Sequence, residues 1–222
     1  MSSFTSTSPT TTGDFSRVAR FYDFLAKLVF GQAQRRAQLV ALQAGLPLAG
    51  PAPRVLVLGG GSGWVLLELL RQCPTARVLY LETSATMLAL AQQRLRREAP
   101  ALGAQVAFRQ GSEQNLEPAE QFEAIITFFV LDCFTLAEFP AALARLQAAR
   151  RPGAPWLVAD FWPSQRWWQQ GMLRVMYLFF NLTVGLRARQ LPPWPTALTE
   201  LGLLNRYQST HYKGFILSLV LT

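Results

Sequence analysis

Val55-Leu56-Val57-Leu58 runs directly into Gly59-Gly60-Gly61-Ser62-Gly63, and that loop into Trp64-Val65-Leu66-Leu67. This join limits the fold more than any other part of the chain. Four consecutive aliphatic residues with no polar position between them suit a strand covered on both faces. Glycine directly after such a strand permits a tight turn and leaves bare backbone against which a ligand can lie. The following helix presents unpaired N–H groups at its start. The loop carries weight because a strand precedes it and a helix follows. Its last glycine comes two residues after Gly61, not three, so a nucleoside ligand is favoured over a pyrophosphate. Taken alone, the same residues also suit a plain flexible turn.

From Arg54 onward, short apolar runs alternate with helical ones. Strands are expected at Val55–Leu58, Val78–Leu81, Val106–Phe108, Phe122–Val130 and Trp156–Ala159. Helices are expected at Trp64–Cys73, Ala85–Arg97 and Thr135–Arg150. This alternation reads as right-handed βαβ units in a parallel sheet. Arg206–Tyr212 and Phe215–Leu221 are β-like on either side of Lys213-Gly214, which predicts a closing hairpin. Before the alternation, Phe15–Ala44 has helical periodicity, with Phe21, Phe24, Leu25, Leu28 and Val29 at threes and fours. Gly45 stops that helix, and the proline-bearing stretch Leu46–Pro53 forms a stiff linker. The expected architecture is α/β: a Rossmann-like, seven-stranded, mostly parallel sheet with helices on both faces and a C-terminal antiparallel hairpin. Residues 14–222 form one domain, and the Ser/Thr-rich residues 1–13 form a disordered tail without the marks of a secretory leader.

Glu82 stands 19 residues after Gly63, at the end of the second strand, where a carboxylate can accept hydrogen bonds from both ribose hydroxyls. A helix-capping or solvated role is the alternative for an acid so placed. Glycine loop and Glu82 together resemble the class I S-adenosylmethionine-dependent methyltransferase family, in particular its small-molecule and quinone-type members. Val55–Gly63 resembles the family's first motif, and Leu81-Glu82-Thr83-Ser84-Ala85-Thr86-Met87-Leu88 its second-strand motif. Gln110-Gly111-Ser112-Glu113 resembles the loop that touches adenine, and Phe122–Phe128 the fourth strand. The likeness covers about Arg54 to Asp160, and the closing hairpin fits the family's reversed last strand. Two positions depart from the common pattern: Val57 and Ser112 replace acidic residues found in many members.

The resemblance implies S-adenosyl-L-methionine as cofactor and methyl transfer as activity. It divides the domain into a helical cap and linker (14–53), a cofactor-binding core (54–160), and an acceptor-side helix with closing strands (161–222). It sets Gly59, Gly60, Gly61 and Gly63 around the cofactor, the methionine part passing close to Gly59, Gly61 and Gly63. Glu82 is set on the ribose, Thr83 and Met87 beside the adenine, and Ser112 and Glu113 at the adenine amino group. Phe128 would offer a backbone carbonyl to the cofactor's amino group. Arg20-Phe21-Tyr22-Asp23 is similar to an aromatic-acid element that closes over the cofactor, with Tyr22 as the cofactor contact; a core aromatic is the alternative for Tyr22. A sulfonium methyl is already activated, so alignment and exclusion of water are the main demands. Where a base is needed, Asp132 just beyond the fourth strand is the first candidate and His211 the second.

Charge and composition bear on the partner. The 222-residue chain has a formal charge of +8, with half its residues hydrophobic and 15% charged, as expected of a folded protein. Its one histidine and two cysteines, read as free thiols at least partly buried, do not suggest a protein-built metal site. Between Asp160 and Glu200 stand four arginines, four tryptophans and no carboxylate. That segment reads either as a membrane-interface surface or as a solvated basic face. The apolar Val175–Leu186 is too short to span a bilayer. The helix within this segment either packs as core or lines a pocket for a hydrophobic acceptor. The resemblance to quinone-type members implies a small lipophilic acceptor, a quinone precursor or lipid-like molecule, and the expected setting is a cytoplasmic protein with peripheral membrane contact. A nucleic-acid methyltransferase is the second reading, although Phe129-Val130-Leu131-Asp132 replaces the Asn-Pro-Pro-aromatic element of base-amino methylation. A binding protein without turnover is the third.

Overall fold

In the computed structural model, which describes residues 31–162 and 166–222, Val55 and Val57 face one side of a sheet while Leu56 and Leu58 face the other. All four are buried. A strand with no polar face demands helices on both sides, and the chain supplies them.

The order is α1 (Gly31–Gly45), β1 (Arg54–Leu58), α2 (Trp64–Gln72), β2 (Arg77–Glu82), α3 (Ala85–Glu98), β3 (Val106–Gln110), β4 (Ala124–Phe128), α4 (Phe139–Ala149), β5 (Trp156–Phe161), α5 (Trp167–Val184), α6 (Trp194–Glu200), β6 (Asn205–His211) and β7 (Ile216–Leu221). Among the described residues the strands form one seven-stranded sheet in the order β3-β2-β1-β4-β5-β7-β6. The first five pair in parallel, whereas β7 runs antiparallel to both β5 and β6. One core gathers Ala37, Ala41 and Leu42 of α1, Leu66 and Leu69 of α2, Ala91 of α3 and Tyr177 of α5. The opposite core gathers Phe139, Leu143 and Leu146 of α4 with Trp194 and Leu198 of α6. Each fully buried aliphatic side chain in these layers contributes about 1.5–3 kcal/mol.

Several details differ from the sequence-based expectation. The first N–H groups of a helical turn have no partner within it, so Pro47, second in the turn, is tolerated, and the first part of the expected stiff linker, Leu46–Ala49, folds as a 3₁₀ turn with Leu46 buried. Helix α1 does end at Gly45, as expected, and a Cβ there would collide with the side chain of Leu157 on β5. The glycine lets the helix end lie against the sheet. The β6–β7 connection is longer than two residues, because Tyr212, Lys213 and Gly214 all take positive φ in succession. Helix α6, absent from the expectation, begins at Trp194 with Pro195 in its first turn. Trp194 is fully buried and its indole N–H donates to the Phe161 carbonyl at 2.8 Å, which satisfies the polar end of an otherwise apolar ring. The expected tail 1–13, the first part of the expected leading helix and Tyr22 lie outside the described residues.

Candidate functional site

Strand order reverses between β1 and β4, and in open α/β sheets ligands bind at such a point, beyond the carboxyl ends of the strands. The loops that follow β1, β2, β3 and β4 meet there. The Gly59 N–H donates to the Leu81 carbonyl at 2.8 Å, and the Gly111 N–H to the Glu82 carbonyl at 3.0 Å. A Cβ at Gly59 would strike Val130, so the loop after β4 lies directly against the glycine turn.

Glu82 is buried and its carboxylate faces the glycine loop. Oε2 accepts the Gly61 N–H at 2.9 Å, and Oε1 accepts the Ser84 N–H at 2.9 Å. The second of these fixes the start of α3, where the Ser84 hydroxyl also accepts the Met87 N–H at 3.3 Å as a helix cap. Sequence reasoning missed Tyr80. Its hydroxyl, fully inside the sheet layer, donates to the Gly61 carbonyl at 2.8 Å. Burial and the neighbouring Glu82 charge hold this phenol well above its ordinary pKa, so it stays a donor. Both polar groups of Gly61 are thus held by side chains of β2. This arrangement fixes the turn although the common acid of the first motif is replaced by Val57, which is buried in the core.

The loop fits an adenosyl ligand by one direct criterion. Gly61 has φ +61°, and a Cβ built there meets no atom within 4 Å, so open space lies against bare backbone beside Glu82. At Gly60 and Gly63 a Cβ would instead collide with Tyr80 and Ala91. Those two glycines serve close packing, and Gly61 faces the cleft. A hollow of about 590 Å³ on the outer side of α3, lined by Thr86, Leu90 and Gln93 among others, includes none of these residues.

Thr83, Ser112 and Glu113, expected beside the adenine, lie on the loops that follow β2 and β3. Thr83 sits beside Glu82 and its carbonyl accepts the Gln110 side-chain amide at 3.3 Å. The Ser112 hydroxyl caps the short turn Glu113–Asn115 by accepting the Gln114 N–H at 3.3 Å. The Glu113 side chain is buried and directed to Arg145 of α4 at 3.5 Å, so only its backbone stays with the loop.

On the other side of the reversal, Phe128 ends β4 and Phe129 takes φ +54°, an uncommon conformation for a bulky residue. The turn Leu131–Cys133 follows. Asp160, wholly buried at the end of β5, anchors it: Oδ2 accepts the N–H groups of Leu131 at 3.0 Å and Asp132 at 3.4 Å. From α5, the Tyr177 hydroxyl donates to the Asp132 carbonyl at 3.1 Å. Burial pushes the Asp132 carboxyl up to about 6, against a smaller lowering by the Cys133 thiol, 3.5 Å away. Asp160 is raised well above the usual carboxylate range, by burial first and then by Asp132. Neither Asp160 nor Tyr177 stands out in the sequence, because each lies in an apolar run and gains its role only from a remote turn. Cys73 is half-buried, within the expectation of an at least partly buried thiol, whereas Cys133 is exposed. The other base candidate, His211, lies on the edge strand β6, four strand spacings or about 19 Å from β1. Its imidazole bonds Ser209 at 3.1 Å, and its pKa is lowered by burial and by Arg36.

Residues 55–153 match a family model described as a methyltransferase domain. Over 153 residues the chain is 32% identical to the demethylmenaquinone methyltransferase of Thermus thermophilus, an alignment covering 68% of this chain and 66% of that protein. Over 150 residues it is 30% identical to the ubiquinone/menaquinone biosynthesis C-methyltransferase UbiE of Dinoroseobacter shibae, covering 67% and 58% respectively. The alignments thus span less than two thirds of these relatives' own lengths, 66% of the first and 58% of the second. Among solved structures, an O-methyltransferase family 2 protein from Planctomyces limnophilus has the same fold, with a TM-score of 0.69 at 19% identity over 96% of this chain and 62% of that one. The chain belongs to the class I S-adenosylmethionine-dependent methyltransferase family. The cofactor of that family is S-adenosylmethionine.

Proposed function

We propose that this protein transfers the methyl group of S-adenosylmethionine to a small lipophilic acceptor, a quinone precursor or a lipid-like molecule. The observation that carries the reading is the Glu82 carboxylate set 2.9 Å from the Gly61 N–H, beside open space over that glycine. Two relatives named for quinone biosynthesis support the choice of acceptor.

When bound, the cofactor supplies a methyl group already activated on a sulfonium. Glu82 would hold the ribose hydroxyls, and backbone at Gly59, Gly61 and Gly63 would lie along the methionine part, with Gly60 in the loop around the cofactor. Thr83 and Met87 would border the adenine, with Ser112 and the Glu113 backbone at its amino group, and the Phe128 carbonyl would receive the cofactor's amino group. Asp132 would accept the proton that the acceptor loses as the new bond to methyl forms. Its carboxyl, raised to about 6 by burial, is ionised at neutral pH and basic enough for that task. Asp160 and Tyr177 act as positioning residues, because between them they hold both backbone ends of the Asp132 residue.

A methyl-transfer screen tests the reading. Cofactor carrying a radiolabelled methyl group is incubated with lipid and RNA extracts of the source cell. Label in the lipid fraction, lost with Asp132→Asn while cofactor still binds, is expected. Label confined to RNA, or none in either fraction, would overturn the acceptor assignment.

A further inference from the structure

Helix α5 turns an unusual face outward. Among its described side chains, Trp167, Gly171, Arg174, Val175, Leu178, Asn181 and Leu182 are exposed, spaced by threes and fours along one side. Four of the seven are large and apolar. Trp167 is 84% exposed, Val175 69%, Leu178 61% and Leu182 75%. A helix that covers a core normally keeps this side polar, since its buried stripe already supplies the packing energy. Here the inner stripe, with Leu173 and Tyr177, is buried as expected, and the outer one is apolar as well. Contiguous exposed apolar surface of this kind marks an interaction site.

Charge decides what kind of surface covers it. Residues 161–199 contain no aspartate or glutamate and four arginines, all exposed: Arg166, Arg174, Arg187 and Arg189. A fifth cation joins them in space. The Lys213 carbonyl accepts hydrogen bonds from Arg166 at 3.1 Å and Gln169 at 3.4 Å, so the β6–β7 turn sets exposed Lys213 beside the first turn of α5. Cations therefore stand at both ends and along the flank of the apolar stripe. Of these, Arg187 lies near enough to Glu138 to lower its carboxyl and is partly offset. Only Trp167 of the four offers a face for stacking a base, and the three aliphatic side chains offer none, which argues against nucleic acid. An apolar stripe with a terminal tryptophan and flanking arginines suits a helix lying in the plane of an anionic lipid interface. No helix among the described residues is long and apolar enough to cross a membrane, so lying on the surface is the mode left to α5.

We propose that the outer face of α5 docks on an anionic phospholipid bilayer. The inner face of the same helix holds the Asp132 carbonyl through Tyr177, so docking sets the candidate base about one helix diameter, 10–12 Å, from the lipid. A lipophilic acceptor then has a short path from bilayer to site. Docking goes beyond the proposed reaction, and it is measured without cofactor or acceptor, so either claim can fail alone.

The test is co-sedimentation of the full chain with sonicated vesicles at 0.15 M salt. Vesicles of 30% phosphatidylglycerol in phosphatidylcholine are expected to bind at least tenfold more protein than pure phosphatidylcholine. The double substitution Leu178→Glu, Leu182→Glu is expected to lower partitioning at least tenfold. Each of Arg174→Gln and Arg189→Gln is expected to lower it about fivefold. The milder pair Leu178→Gln, Leu182→Gln guards against a folding defect and should also fall at least fivefold. Melting temperature and cofactor affinity should stay at wild-type values throughout. Equal binding by the leucine variants and the wild type would overturn the proposal. So would a protein dimer, seen by light scattering, that the glutamate pair dissolves, because the face would then belong to a second copy of the chain.

Discussion

Replacing Glu82 by glutamine isolates the charge of the residue on which the site rests. The amide keeps the shape and one acceptor oxygen, but its NH₂ group must face either the Gly61 or the Ser84 N–H, both now 2.9 Å from a carboxylate oxygen. One of those buried donors loses its partner, at about 1–3 kcal/mol in stability. Cofactor affinity suffers separately. Hydrogen bonds to a charged acceptor contribute about 1.5–3 kcal/mol and neutral ones about 0.5–1.5, so each ribose hydroxyl loses roughly 1–1.5 kcal/mol. Two hydroxyls give about 2–3 kcal/mol, a roughly 30- to 150-fold rise in Kd. Titration calorimetry with S-adenosylmethionine reads this change, and a thermal melt reads the folding cost independently. A variant that binds as tightly as the wild type would refute the assignment of Glu82 to the ribose. A variant that melts as the wild type does would refute the reading of its backbone bonds as structural.

Two further outcomes follow from the same cleft. Gly61→Ala should fold, at a cost of about 1–2 kcal/mol for a side chain at positive φ, yet lose at least tenfold in cofactor affinity because its methyl fills the open space over the turn. Gly60→Ala should instead show its effect in the melt, since that methyl runs into the Tyr80 ring; calorimetry and thermal unfolding of the two variants should rank them in opposite order. The turnover rate should fall as pH drops below about 6, where the Asp132 carboxyl takes up a proton and can no longer accept one, and level off above it. The stability effect has the opposite sign: a carboxyl raised in the folded state binds its proton more tightly there than in the unfolded chain. Asp132 and Asp160 therefore favour the fold at low pH and withdraw that support as pH rises through their folded values. A pH–rate profile unchanged by Asp132→Asn would remove it as the base.

Much of the cofactor side was legible because it is built from consecutive residues. The run Val55–Leu58 could only be a doubly covered strand, and the glycines after it a turn with exposed backbone, since aliphatic continuity and the missing Cβ act locally. Glu82 followed from spacing, because one βαβ unit carries the chain from the end of β1 to the end of β2 in a nearly set number of residues. The acceptor side was less open to such reading. Asp132 was visible as an acid beyond a strand, but its pKa is raised by burial, and its backbone is held by Asp160, 28 residues away, and Tyr177, 45 residues away. Periodicity showed α5 to be apolar on more than one side and left open whether it packed as core or lined an acceptor pocket.

What the amino-acid order determined alone is the strand–glycine–helix join, the parallel alternation and the carboxylate at the second strand's end, all set by steric rules that act over a few residues. Only the tertiary structure decided that Tyr80 and Glu82 clamp Gly61 from one strand, that Asp160 and Tyr177 hold the Asp132 turn, and which face of α5 meets the outside. Those outcomes depend on which elements become neighbours in the sheet, and pairing between distant segments is a property of the packed whole.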